Sequence, residues 1–325
     1  MKEISQVLSK LLKDIKPYLD RKDINEIIIN QPGLVMLDLG GEEWEYKKDK
    51  NITKAFLDDF PKQLATYSNQ QFDEKHIYLA SAIPGTNNRV GIVHNSLVRS
   101  SNNEFNIRVQ KEENFTIQDF IKDDINNLNT TKSKLQIFNE NDSIEDKIIA
   151  IMKNKCNILI SGGTSSGKTS LFNVLLGYIP LNHRLVTIED SPELNPQHRN
   201  KTQLLVSKNG SSMSGASYED MINISMRLRP TNLLLGELDT RNTQAFLRLA
   251  NTGHEGMAAT IHSNTSFDSI QALITNLTYT GSSLPLEGMY NFINSAIDYV
   301  IQVNDHRIVE IKSMYEILNQ LRGGN

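Results

Sequence analysis

Hydrophobic and polar positions follow two different rhythms along this chain, and the change of rhythm divides it. In residues 4–15, Ile4, Val7, Leu8, Leu11, Leu12 and Ile15 recur at helical spacing with lysines between them, which predicts an amphipathic helix. Such a stripe fits a helix packed on its own domain; a helix on a membrane surface or a partner carries the same spacing. INEIIIN (24–30) and LVMLDL (34–39) read as strands around a Gln31-Pro32-Gly33 turn, and Gly40-Gly41 marks the next turn ahead of EEWEY. A helix is predicted over 51–69, then strands at IYLASAI, RVGIVHN and EFNIRV. Residues 1–132 are therefore expected to form an α+β domain that ends in a linker at about 111–142, polar and rich in Asn, Asp, Lys and Thr, with one short apolar-periodic stretch, FTIQDFI.

From residue 143 the rhythm becomes strand–helix alternation. Helices are predicted at 143–154, 168–177, 217–227 and 240–250, and strands at 157–160, 184–188, 233–235 and 257–261. Alternation of this kind builds βα units on a mostly parallel sheet. IDYVIQV and RIVEIKSMYEI near the end read as an antiparallel addition. The expectation is an α/β domain over 133–325.

Composition narrows the function classes. The chain has 325 residues with net charge −4, which argues against bulk attraction to nucleic acid and against sequence-specific binding of it. A single cysteine, Cys156, excludes an internal disulfide and a multi-cysteine zinc cluster. No apolar stretch approaches the roughly 20 residues of a membrane span, and nothing resembles a signal peptide. A cytoplasmic protein, in contact with a membrane only peripherally, is expected.

The densest chemistry lies in SGGTSSGKTSL, directly after the apolar run CNILI. Gly162, Gly163, Thr164, Ser165, Ser166, Gly167, Lys168 and Thr169 match G-x-x-x-x-G-K-[ST] in full. Backbone N–H groups must converge on phosphate oxygens here, and glycine permits the curve. The helix that starts near Lys168 turns its positive dipole end to the anion, with Ser170 in its first turn. Lys168 is expected to reach the β- and γ-phosphates of ATP, and Thr169 to offer its hydroxyl to Mg²⁺.

Three further apolar strands end in polar residues: RLVTIEDSPEL delivers Glu189, Asp190 and Glu193, NLLLGELD delivers Glu237, and GMAATIHSN delivers His262. Ligands of parallel α/β sheets collect at the carboxyl ends of the strands, so these groups are expected beside the phosphate loop. Glu237 is read as the water-orienting carboxylate and Glu189 as a contact to Mg²⁺ or water. Asp190 and Glu193 stand equally as site residues or solvated loop residues. His262 is read as a γ-phosphate sensor; His254 fits either a sensor or a structural histidine.

In this order, GGTSSGKT, TIEDSPEL, RPTNLLLGEL and GHEGMAATIHSN resemble the Walker A, Asp, Walker B and His boxes of the secretion traffic ATPases, and the TIHSN form most resembles those of type IV secretion systems. EIIINQPGLVMLDLGGEEWEY is similar to the opening of that family's N-terminal domain. The resemblance implies a RecA-like P-loop ATPase domain, a homohexameric ring on the cytoplasmic face of the inner membrane, and partnership with other secretion components that move a protein or DNA substrate. It also implies that Arg89 and Arg108 act on the γ-phosphate and that Arg229 is a nucleotide-side cation between subunits. An arginine usually follows GEL in the family; here Asp239 stands there, with Arg241 two residues on. A type IV pilus retraction or type II secretion-type motor, and a non-catalytic ATP-dependent ring scaffold, are the alternative readings.

Overall fold

The computed structural model describes residues 3–111, 137–206 and 215–323. Contacts divide the chain into two compact units, residues 1–114 with 199–230, and residues 115–198 with 231–325. The expected boundary at 132, most of the linker and the FTIQDFI stretch lie outside the described residues.

The first unit begins with helix α1 (Gln6–Leu19), capped by the Ser5 side chain, which accepts from the Leu8 N–H at 3.1 Å. Leu8 and Ile15 are buried and Ile4, Leu11 and Leu12 pack against the same core, while Val7 is exposed. The stripe thus faces its own domain. Strands β1 (Glu26–Gln31), β2 (Leu34–Gly40) and β3 (Glu43–Lys48) come next. Helix α2 (Lys54–Ser68) starts from the Thr53 cap and stops at Asn69 in the left-handed conformation, φ 56°. Strands β4 (Tyr78–Ala82), β5 (Arg89–Val93) and β6 (Glu104–Arg108) complete an antiparallel sheet in the order β3-β2-β1-β6-β5-β4.

Alternation sets the two faces of this sheet. Ile27 stands opposite Leu37 and Ile107, and these pack with Ile29, Val35, Phe56, Phe60 and Phe105 under the helices. Ile28, Leu34 and Met36 form a smaller cluster with Trp44 and Tyr46 on the other face. A segment distant in sequence belongs to this unit. Strand β9 (Lys201–Leu205) accepts from Asn30 Nδ2 at the Lys201 carbonyl (2.7 Å), and helix α5 (Tyr218–Arg227) accepts from Asn106 Nδ2 at the Arg227 carbonyl (2.6 Å).

In the second unit, helix α3 (Ile144–Lys153) leads to strand β7 (Ile158–Gly162), and helix α4 (Lys168–Leu175) follows the glycine loop. Strands β8 (Leu185–Glu189), β10 (Asn232–Leu235), β11 (Ala258–His262) and β12 (Tyr299–Asn304) are all parallel within their pairs. With β13 (Arg307–Ser313), the order within this unit is β13-β12-β7-β11-β10-β8. The fold is the expected one, an α/β domain on a mostly parallel sheet and an α+β domain. The terminal pair differs in detail: only β13 is antiparallel, and the MYEI segment belongs to helix α9 (Met314–Leu321), because Ser313 and Glu316 form a capping box that starts a helix there. Helix α7 (Ser266–Tyr279) packs on β11 and β12, and α6 (Thr243–Ala250) and α8 (Leu286–Ala296) pack against α7 and each other.

Asn157 fixes the starting register of the central strands. It donates through Nδ2 to the His254 and Ala296 carbonyls, accepts from the Met257 N–H at Oδ1, and donates its own N–H to Asp298. Among the described residues, no helix is long and apolar enough to cross a membrane.

Candidate nucleotide-binding site

The site grows from the carboxyl ends of the parallel strands in the second unit. Strand β7 is wholly buried, so its carboxyl end is a rigid base for the loop that follows. Two glycines are required by close approach and conformation. A Cβ at Gly162 would lie 2.4 Å from Ser166 Oγ and 2.7 Å from the Val303 carbonyl oxygen. Gly167 has φ +95° and is the first half-helical residue of α4, which has no side-chain cap. The N–H groups at the start of α4 thus point out of the helix without an internal acceptor.

Lys168 Nζ donates to the carbonyls of Gly162 and Gly163, both at 2.8 Å, and lies 3.1 Å from His262 Nδ1. Since an ammonium can only donate, Nδ1 accepts, and the neutral imidazole carries its proton on Nε2. That nitrogen is 3.1 Å from Glu237 Oε1. The three side chains form a chain from ammonium through imidazole to carboxylate. Burial pushes the Lys168 ammonium below its ordinary range, and the negative charge of Glu237 opposes that shift.

Backbone bonds hold the two partners in place. Thr260 Oγ1 donates to the Gly236 carbonyl at 2.6 Å, Leu238 N–H to the Thr260 carbonyl at 2.8 Å, and Asn242 Nδ2 to the Glu237 carbonyl at 2.9 Å. On the other side, Ser161 and Ser263 share a hydrogen bond, and Ser263 N–H donates to the Gly162 carbonyl at 3.2 Å. The half-exposed side chains of His262 and Glu237, at 49% and 42%, therefore project from fixed backbone.

Glu189 sits differently. Its side chain is buried, with Oε1 accepting from the N–H groups of Glu193 (2.9 Å) and Leu194 (2.7 Å), and Oε2 from Thr187 Oγ1 (3.1 Å). The carboxylate that meets Thr169 is Glu193, whose Oε2 accepts from Thr169 Oγ1 at 3.0 Å. Glu189 thus shapes the turn that presents Glu193. Sequence reasoning left Glu193 undecided because an acid after a Pro in a loop looks like any solvated residue. His254 precedes β11, at the end of that strand away from the phosphate loop, and its ring shares a hydrogen bond with Thr252. Burial lowers its pKa. Thr164 and Ser165 are exposed on the loop, and Ser170 lies in the first turn of α4.

Arg89, Arg108 and Arg229 belong to the first unit. Arg89 and Arg108 are exposed and stand directly opposite one another on β5 and β6. Arg229 is in ion pairs with Asp38 and, at 3.5 Å, with Glu26. At the Asp239 position, the carboxylate accepts from the Arg241 side chain and, at 2.7 Å, from its N–H. The acid and the displaced arginine therefore compensate each other locally.

The fit to a magnesium nucleotide rests on this chemistry. The loop is a cradle in which a Cβ would collide, and Ser166 Oγ, buried beneath it, has no protein partner. Thr169 and Glu193 supply hard oxygen donors of the kind Mg²⁺ takes. Among the described residues, no three His, Cys, Asp or Glu side chains are grouped to hold a metal without such a ligand.

Residues 97–309 match the family described as Type II/IV secretion system protein, almost two thirds of the chain. The chain belongs to that family. Relatives that match it along most of its length are type IV secretion system proteins. The type IV secretion system protein VirB11 of Bartonella quintana is 29% identical over 92% of this chain and 89% of its own length. Protein VirB11 of Rhizobium radiobacter is 28% identical over 92% and 90%. The fold is that of the VirB11 ATPase from the Brucella suis type IV secretion system, crystallised with sulphate, at TM-score 0.82 and 23% identity over 94% of this chain and 97% of that one.

Proposed function

We propose that this protein hydrolyses ATP as a motor of a type IV secretion system, works as a homohexameric ring at the cytoplasmic face of the inner membrane, and moves its two domains against each other with each cycle. The observation that carries the reading is the continuous Lys168–His262–Glu237 chain at the mouth of the phosphate loop. A triphosphate tail competes for the Lys168 donors, and when they turn to it, His262 Nδ1 loses its donor. The imidazole then registers whether a γ-phosphate is present, and Glu237 is left to orient the attacking water. Bound Mg²⁺, with Thr169 and Glu193 as protein ligands and Glu189 holding the turn behind them, would neutralise charge on the phosphate oxygens. Arg89 and Arg108 support the motor reading through their pairing. Two like charges directly opposite on neighbouring strands repel, and an anion between them relieves that repulsion. In the hydrolysis step they would stabilise charge on the departing phosphoryl group.

The test is phosphate release by the purified protein and by Lys168→Ala, alongside calorimetry with MgATP. The wild type is expected to bind and release phosphate, more than linearly with protein concentration if the ring is the active form. The variant should be folded and silent in both assays. Undiminished binding and turnover in Lys168→Ala would remove the phosphate loop from the reaction.

A further inference from the structure

The phosphate loop touches an element that the four motif boxes do not contain. Strands β12 and β13 are joined by a two-residue turn, closed by the Asn304–Arg307 pair, with Asp305 at φ 47° and His306 at φ 57°. Both central residues are left-handed, as a tight type I′ turn requires, and glycine is the favoured second residue there. A histidine in that place adopts an uncommon conformation for a residue with a side chain, and an observed outlier of this kind is a reason to look for a role.

The contacts of the turn supply one. His306 N–H donates to the Ser166 carbonyl at 2.9 Å. Its ring lies where residue 167 would carry a side chain: a Cβ built on Gly167 comes within 2.6 Å of His306 Nδ1 and 3.1 Å of Cγ. At the other end of the loop, the Val303 carbonyl fills the Cβ space of Gly162, the residue it pairs with in register. Both glycines of the motif are therefore pressed against one hairpin. The Ser166–Gly167 peptide, held from behind by His306, is the one that turns the loop into α4.

We infer that the β12–β13 hairpin is part of the nucleotide site and that His306 is a positioning residue, which fixes the Ser166–Gly167 peptide so that the loop amides converge on the phosphates. This rests on the phosphate-loop reading and deepens it. His306 acts through the loop, so its loss loosens nucleotide binding more than it slows the chemical step. Gly167 is required for two separable reasons, its backbone angle and the ring that occupies its side-chain space.

The experiment uses the full chain and four changes: His306→Asn and His306→Gly, which both suit a left-handed turn, Gly167→Ala, and Lys168→Ala as a control. Binding of a fluorescent ATP analogue, KM and kcat for MgATP, and thermal midpoint are measured. Both His306 variants keep the backbone N–H that donates to the Ser166 carbonyl and lose only the ring packed against Gly167; they should keep the wild-type midpoint and raise Kd and KM by about tenfold, with a smaller change in kcat. The factor lost on Gly167→Ala should shrink when His306 is already glycine. Wild-type KM in both His306 variants, a fall confined to kcat, or a Gly167→Ala loss that is the same in both backgrounds would overturn the inference. Lys168→Ala separates the two levels: if it abolishes binding while the His306 variants bind as wild type, only the role of the hairpin falls, whereas binding by Lys168→Ala removes the phosphate loop itself.

Discussion

Each unit brings three ionisable side chains together, and the outcomes are opposite. In the first unit Glu26 and Asp38, paired directly across β1 and β2, have side chains only 7% and 4% exposed and share the Arg229 guanidinium. In the second unit Lys168, His262 and Glu237 form an equally short chain, but the histidine and carboxylate are about half exposed. Sheet topology accounts for the difference. Antiparallel strands place Glu26 and Asp38 within a paired ladder, where charge must be neutralised locally because burial of an unpaired ion is costly. Parallel strands release their chains at one common edge, and polar groups there stay accessible to a ligand. The first arrangement is suited to stability and the second to chemistry.

The sharpest way to break that contrast is to change one acid from each group. Glu237→Gln keeps the size and the fixed backbone but removes the carboxylate that orients water. Turnover should fall by about 10²–10⁴-fold, with nucleotide binding and thermal midpoint retained. Loss of binding in a folded variant would make Glu237 structural, like its counterparts in the first unit. Next in size is Arg229→Met. It leaves two buried carboxylates facing each other, and because Arg229 is itself about half exposed the cost should be about 2–3 kcal/mol, below that of breaking a fully buried pair. Denaturant unfolding measures it, and Asp38→Asn added to Arg229→Met should restore part of the loss. Unchanged stability with a collapse of turnover would instead favour the inter-subunit role that the family resemblance implies for Arg229.

The third test uses pH. Burial lowers the Lys168 pKa from its ordinary 10.5, and the sign follows. Below the depressed value the lysine is charged, and the cost of burying that charge weighs on stability. As pH rises through it toward 10.5 the lysine is neutral in the folded chain but still charged when unfolded, so its penalty is relieved and its contribution to stability increases. Affinity for the phosphate anion moves the other way, because the neutral amine no longer attracts it. Comparing wild type with Lys168→Met across alkaline pH isolates both trends. If they rise or fall together in the difference, the lysine is not the group responsible.

Much of this was legible in the sequence, for reasons that differ by element. The phosphate loop and the strand-end residues Glu237 and His262 could be placed because each follows an apolar strand and the parallel topology brings the ends together. From the sequence the contact to Mg²⁺ or water is expected of Glu189, with Glu193 left open, whereas Thr169 meets Glu193, because the N–H groups of residues 193 and 194 capture Glu189. Strand β9 and its membership of the first unit were hidden because the bonds that decide them, such as Asn30 to Lys201, join residues far apart in the chain. The β12–β13 turn gave no glycine signal, because a histidine stands where glycine is favoured. That substitution is also what draws attention to it once its contact with Gly167 is seen.

The smallest expected effects come from a matched pair of caps, one in each unit. Ser217 and Asp220 form a capping box at the start of α5, and Ser313 and Glu316 form another at the start of α9. Each serine accepts from a helix N–H that otherwise lacks a partner, so Ser217→Ala and Ser313→Ala should each cost about 1 kcal/mol, seen as faster amide exchange in the capped helix. Neither serine touches the Lys168–His262–Glu237 chain, so turnover per folded molecule should remain at the wild-type value in both. A fall in turnover on Ser313→Ala with its folded fraction intact would mean that α9 sets the pose of β13 and hence of the turn behind the phosphate loop. The division between a region built for stability and a region built for chemistry would then run through the second unit, not between the two.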